Sequence, residues 1–235
     1  PSDGAAAIGK YLLAHGFRVG IIAQPDLSDS RDITRLGSPR LFWGVTAGCV
    51  DSMVANYTAL RKRKHKDDLT PGGENNRRPD RAVIAYTNAI RKYFKSPAPI
   101  ILGGIEASLR RIAHYDYWSD SVRRPVIFDA KADGLVYGMG ERTILEIAQK
   151  IKSNEDWRAA RGLCVISREM PENALALPSY EAVAESKDAF LDMFNAFYKY
   201  SEPYYSQTLA QEVGGRYLIQ NPPQLPPSQE ELDSY

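Results

Sequence analysis

Cysteine is scarce in this chain: Cys49 and Cys164 are the only two in 235 residues. Two distant thiols make no disulfide framework. No CxxC or CxxxCxxC spacing occurs, so the chain cannot by itself hold a zinc ion or an iron–sulfur cluster on cysteines alone. Long apolar runs are missing as well. No stretch reaches the ~20 residues needed to span a bilayer, and no signal peptide is visible; a reducing, cytoplasmic setting with no membrane partner is the default expectation. Charge of one sign is not in excess, with 30 Lys and Arg against 29 Asp and Glu and a net charge of +1, so no global field calls for nucleic acid or acidic lipid. No internal repeat is present. The chain opens on Pro1 and not on Met, which reads as a fragment or a processed form.

What is there is an ordinary globular composition, 43% hydrophobic and 25% charged, enough for one large domain or a domain with an extension. The most informative stretch is Pro99-Ile-Ile-Leu-Gly-Gly-Ile-Glu-Ala-Ser108. Ile100 to Leu102 reads as a strand buried on both faces, as in a parallel sheet. Gly103-Gly104 lets the backbone turn sharply at the strand's carboxyl end, where ligands of open α/β sheets sit. Glu106 and Ser108 are the polar groups that follow.

Around this strand the chain alternates. Ala5 to His15 is a helix capped by Ser2 or Asp3 and ended by Gly16. Phe17 to Ala23 is expected to be a strand, Arg31 to Leu36 a short helix, and Leu41 to Thr46 a strand closed by Ala47-Gly48. Helical spacing follows at Val50, Met53, Val54 and Tyr57, and again at Val83, Tyr86, Ile90 and Phe94. Val126 to Phe128 reads as a short strand and Asp133 to Tyr137 as another. Gly138-Met-Gly-Glu141 then turns into a helix with Ile144, Ile147, Ala148 and Ile151 on one face, a second place where backbone N–H groups point outward. Leu163 to Ser167 is a last short strand. This alternation argues for a doubly wound α/β domain over residues 1–170, with its first strand expected upstream of Pro1.

Three segments interrupt or end the pattern. Residues 61–79, with the basic run Arg61-Lys-Arg-Lys-His-Lys66, are too polar to fold alone and read as a mobile insertion. Residues 109–124 hold His114-Tyr-Asp-Tyr-Trp-Ser-Asp120 between arginine pairs, readable either as a site for a planar or anionic ligand or as a satisfied, half-buried interface loop. Residues 171–235 read as a helical and Pro-rich linker, with Phe190, Met193, Phe194 and Phe197 on one helical face, an extended Tyr217-Leu-Ile-Gln, and a capping box at Ser228-Gln-Glu-Glu231.

These residues carry a resemblance. Gly103 to Asp120 and Ala132-Asp-Gly-Leu-Val-Tyr-Gly-Met-Gly-Glu-Arg-Thr-Ile144, with Gly16 to Asp26, Val45 to Met53, Thr70-Pro-Gly-Gly73, Arg78-Pro-Asp-Arg81 and Tyr217 to Pro223, resemble the N-terminal, cobalamin-binding-like region of the YgiQ family of radical S-adenosylmethionine (SAM) proteins. The resemblance implies a flavodoxin-like, Rossmann-like parallel sheet leading through the linker into a radical SAM domain of the same polypeptide. In such enzymes a CxxxCxxC motif holds a 4Fe-4S cluster that reduces SAM to a 5′-deoxyadenosyl radical. That motif is absent here and is expected beyond Tyr235. The Asp-x-His-x-x-Gly motif, whose His binds cobalt in cobalamin proteins, is absent too, which leaves open whether a corrinoid binds or only the fold is kept. No substrate follows from the resemblance.

The expected cofactor cleft is built from Thr46, Gly103, Gly104, Glu106, Ser108, His114, Gly138, Gly140 and Glu141. Three strands end in glycine-bearing turns, and in a parallel sheet those ends share an edge. A vestigial cleft is expected to be filled by Met139 or Tyr115. Two other functions compete. One is a stand-alone acid–base enzyme using Glu106, His114, Asp116 and Asp120. The other is an RNA-binding module using residues 61–66 and 77–81 with Arg110 and Arg111, disfavoured because no aromatic residue interleaves the basic run to stack bases.

Overall fold

The apolar run at residues 100–102 settles where its sequence directs it, in a sheet covered on both faces. The computed structural model describes residues 3–234, without the side chain of Asp3, so the N-cap expected at Ser2 or Asp3 lies outside the described part. In chain order the elements are α1 (Asp3–Ala14), α2 (Arg31–Thr34), β1 (Trp43–Val45), α3 (Ser52–Asn56), α4 (Ala82–Tyr93), β2 (Ile100–Leu102), α5 (Gly104–Leu109), β3 (His114–Asp116), β4 (Ser121–Arg123), α6 (Val126–Ala130) and β5 (Gly134–Val136). They continue with α7 (Glu141–Lys152), β6 (Leu163–Ser167), β7 (Leu175–Leu177), α8 (Tyr180–Glu185), α9 (Lys187–Lys199), β8 (Leu209–Val213), β9 (Arg216–Gln220) and α10 (Gln229–Ser234).

Among the described residues seven strands form one sheet in the order β1-β2-β5-β6-β9-β8-β7, and β3 and β4 form a separate hairpin. The pairs β1–β2, β2–β5 and β7–β8 are parallel, whereas β5–β6, β6–β9 and β8–β9 are antiparallel. Successive strand residues alternate between two cores. Ile100, Leu102, Leu135, Cys164 and Leu218 face a core made with α4, α6, α8 and α9. Ile101, Val136, Leu163, Val165 and Ile219 face a core under α1 and α7. Helices on both faces make the fold the expected doubly wound α/β class. No helix among the described residues is long and apolar enough to cross a membrane.

Four expectations are corrected. Phe17 to Ala23 makes no ladder; Val19 and Ile21 instead pack beside Gly9 of α1, where a Cβ would lie 3.6 and 3.3 Å from them. Val126 to Phe128 is helical, because Pro125 starts the turn of α6 and Lys131 ends it in the left-handed region. Residues 171–235 are more than a linker. They supply β7, β8 and β9: Leu209 to Val213 and Arg216 to Gln220 form a hairpin through Gly214-Gly215, both at positive φ, whose second strand pairs with β6 and whose first strand pairs with β7. The capping box in the same stretch forms as read: Ser228 N–H donates to Glu231 Oε2 at 2.7 Å and Glu231 N–H to Ser228 Oγ at 3.3 Å.

The fourth correction is the basic insertion, which is pinned by buried polar contacts. Asp67 accepts from the Thr70 hydroxyl at 2.5 Å and lies 3.0 Å from Arg78 Nη1, both side chains almost fully buried, in a geometry short of a hydrogen bond. Asn75 donates to the carbonyls of Asn56 and Lys64, and Asn56 to Asp80 and to the Arg78 carbonyl. Two isolated bridges, Tyr57 with Arg63 and Lys66 with Glu74, complete the fastening.

Candidate functional site at the carboxyl edge of the sheet

Because β1, β2 and β5 run parallel, Val45 ends opposite Leu102, and Leu102 lies opposite Leu135, one residue before the end of β5. Thr46, Gly103, Gly104 and Gly138 therefore converge on one edge. β9 also ends there and β6 begins there, through Gln220 opposite Cys164 and Leu163 opposite Val136. Gly103 N–H donates to Val45 O at 2.9 Å, which ties the exits of β1 and β2 together. Gly104 sits at φ +79°, and a Cβ there would run into the Thr46 hydroxyl. Gly138, at φ +71°, faces open space. A Cβ at Gly140 would meet Val136 at 2.9 Å, so this glycine serves the packing of the α7 start against β5 and α1. Glu141 opens α7, with one carboxylate oxygen buried and unpartnered.

The remaining expected residues face elsewhere. Glu106 is buried, and its two oxygens accept from Ser52 N–H at 2.7 Å and Val83 N–H at 3.1 Å, the first turns of α3 and α4. Ser108 offers its main-chain carbonyl to Arg111 at 2.6 Å. His114 Nδ1 lies 3.0 Å from the Ile112 carbonyl, so the ring donates there. Burial, with Arg110 and Arg123 nearby, holds its pKa below the ordinary histidine value despite the Ile112 bond, which keeps the ring neutral. The cavity beside it is ~10 Å³, room for one water at most. Its wall is a lattice of charges: Arg81 pairs with Asp116 at 2.5 Å, Arg123 with Asp129 at 2.7 Å, and Arg110 with Asp51 at 2.6 Å.

This geometry does not support the two competing functions. Glu106 has both oxygens occupied, Asp116 is held by Arg81 and Ser119, and Asp120 accepts from the Tyr115 hydroxyl. Burial pushes the Asp116 pKa up, but Ser119 and Arg81 outweigh it and leave the group below its usual range, an ion-paired carboxylate and not a base. The basic run does gain aromatic neighbours that its own sequence lacks. Arg61 lies over Tyr117 at 4.6 Å, Arg63 over Tyr57 at 5.8 Å, and Trp118 packs against both tyrosines. Those cations lie on the surface against the rings, Arg63 also lies 3.6 Å from Asp80, and Lys64 Nζ donates to Val54 O.

Sequence reasoning missed one feature of the edge. Arg111 lies between the Tyr137 and Phe197 rings, with Nε on Gln220 at 3.0 Å. Phe197 comes from α9, so only the return of the 171–220 segment to the sheet brings the three together; no local spacing signals it.

The resemblance implies two groups, a corrinoid and an iron–sulfur cluster. For a corrinoid, the exits of β1 and β2 are already closed on each other at Thr46 and Gly104, and His114, in its one-water cavity, cannot reach a cobalt ion. Met139 and Tyr115, expected to fill a vestigial cleft, remain exposed; Thr46 does the closing. For an iron–sulfur cluster, Cys49 is exposed while Cys164 is buried, and burial pushes the Cys164 thiol up to about 12. No group of three or more metal-ligating side chains occurs among the described residues. Neither group fits the residues present.

Comparison with known proteins places this arrangement. Residues 1–235 match the family described as radical SAM N-terminal. A UPF0313 protein of Fusobacterium nucleatum subsp. nucleatum is 53% identical over 232 residues, covering 98% of this chain and 41% of its own length. A UPF0313 protein of Thermotoga petrophila is 53% identical over 236 residues, covering 99% and 41%. The chain thus spans about two fifths of the length of these relatives. Among solved structures, the radical SAM methyltransferase TsrM of Kitasatospora setae, determined with cobalamin and a [4Fe-4S] cluster bound, aligns with TM-score 0.46 and 21% identity over 69% of this chain and 24% of its own.

Proposed function

Since the chain belongs to the radical SAM N-terminal family, we propose that it is an accessory domain of a radical SAM enzyme, a closed α/β shell that binds no corrinoid. The cluster and SAM sites then belong to a radical SAM domain of the same polypeptide, within the three fifths of the relatives' length that this chain does not cover. One observation carries the reading: the family match runs over the whole chain, yet its cysteines are one exposed and one sealed in the core. A cluster ligand must be a reachable thiolate. The role left to the domain is to position and to shield.

Titration of the full-length protein with hydroxocobalamin, followed by absorbance, tests the corrinoid half of this reading. No saturable binding is expected. Stoichiometric binding would overturn it and would require the exits of β1 and β2 to part at Thr46 and Gly104.

A further inference from the structure

The carboxyl edge of the sheet holds two guanidinium groups that no carboxylate answers. Arg111 gives Nε to the Gln220 side chain at 3.0 Å and one Nη to the Ser108 carbonyl at 2.6 Å, and its Cζ lies 4.6 Å from the Tyr137 ring centroid and 4.5 Å from that of Phe197. Arg161, two residues before β6, gives one Nη to the Pro203 carbonyl at 2.9 Å, and its Nε is buried with no hydrogen-bond partner among the described residues. Neither arginine makes an ion pair among the described residues.

The two groups share one neighbourhood. Both act on the Tyr137 phenol: burial raises its pKa, and the charges of Arg111 and Arg161 oppose that rise. The Tyr137 hydroxyl donates to the Asn221 carbonyl, the residue after Gln220, which binds Arg111. The α9 end and the turn behind it roof both arginines, Phe197 over one and the Pro203 carbonyl on the other.

Exposed arginines such as Arg35 and Arg158 also lack an acid, but water solvates them. Arg111 and Arg161 are half-buried, and burial disfavours the charge on Arg111 strongly enough to lower its pKa. Keeping desolvated cations uncompensated is costly, and folded proteins pair them or give them a ligand. Carbonyls and ring faces satisfy part of each fork and no negative charge. The planar guanidinium is matched to the oxygen pair of a carboxylate or a phosphate.

We propose that Arg111 and Arg161 form a binding site for a small oxyanion, a carboxylate or phosphate group, beside Tyr137 at the carboxyl edge of the sheet. This goes beyond the accessory role and does not depend on it. Gln220 and the Ser108 carbonyl hold the Arg111 fork in place, so the site is preorganised.

Calorimetric titration of the full-length protein tests this, with inorganic phosphate in one series and acetate in another, at ionic strength fixed with chloride. Saturable binding of phosphate identifies a phosphate ligand, and saturable binding of acetate alone a carboxylate. In either case Arg161→Gln should weaken binding by roughly tenfold or more, and Arg111→Gln should do the same. Arg161 is the safer variant, since among the described residues its side chain's only hydrogen bond goes to a loop carbonyl; circular dichroism checks the fold of both. A purely structural role would lower melting temperature and leave anion affinity untouched. No saturation by either anion, or affinity unchanged in both folded variants, would overturn the proposal.

Discussion

Glu106 joins two helices through one carboxylate. Ser52 N–H and Val83 N–H, which it accepts, belong to the first turns of α3 and α4, where unsatisfied amides and the helix dipole gather positive charge. A buried carboxylate there is worth more as a double acceptor than as a base, and this explains why a polar residue behind a ligand-facing turn points inward. Glu106→Gln keeps the shape but turns an NH₂ toward one of the amides, leaving a buried donor unsatisfied. The expected loss is ~2–3 kcal/mol, read as a lower midpoint in urea unfolding at neutral pH. An unchanged midpoint would contradict this account of the residue.

At the scale of elements, the 61–79 loop shows what composition hides. Its polar residues look solvated one by one, but Asp67, Thr70, Asn75 and Arg78 are buried together. Burial pushes the Asp67 pKa up; hydrogen bonds from the Thr70 hydroxyl and Leu69 N–H, with Arg78 alongside, outweigh it and hold the group below 3.8. A depressed folded pKa means stability that is present above the unfolded value and is lost as pH falls through the folded one. Asp67→Asn strands the Arg78 charge and should cost ~3 kcal/mol at neutral pH. The stability gap between wild type and variant should then narrow as pH drops below about 3.8. Urea unfolding of both proteins across that range checks it; a gap that does not change with pH would show that Asp67 is not the titrating anchor. The same scale shows what local sequence could tell. The Ile100 to Leu102 strand with its glycine exit, the Ile144-Ile147-Ala148 face of α7 and the Ser228–Glu231 capping box were all readable, because each is decided by neighbours within a turn or two. β7 was not, because its only strand partner among the described residues, β8, lies some thirty residues further along the chain, and Phe17 to Ala23 has strand composition but no partner.

At the scale of the whole molecule, the parallel half of the sheet, β1-β2-β5, was legible, and so was the convergence of its glycine turns on one edge. What that edge contains was not. Whether Gly104 frames a cleft or abuts Thr46 depends on how closely two loops pack, and the Arg111–Tyr137–Phe197 stack depends on the antiparallel half folding back. On the function proposed above, this domain accompanies the radical SAM machinery of the full-length protein without furnishing ligands to it. Anaerobic reconstitution with iron and sulfide, run in parallel on the 235-residue chain and on the full-length protein, measures this most directly through bound iron and the visible absorbance of the cluster. A stable cluster is expected in the full-length protein, retained in its Cys49→Ser/Cys164→Ala variant, and none on the chain alone; near-stoichiometric cluster iron on the chain alone, or loss of the cluster in that variant, would overturn the proposed role.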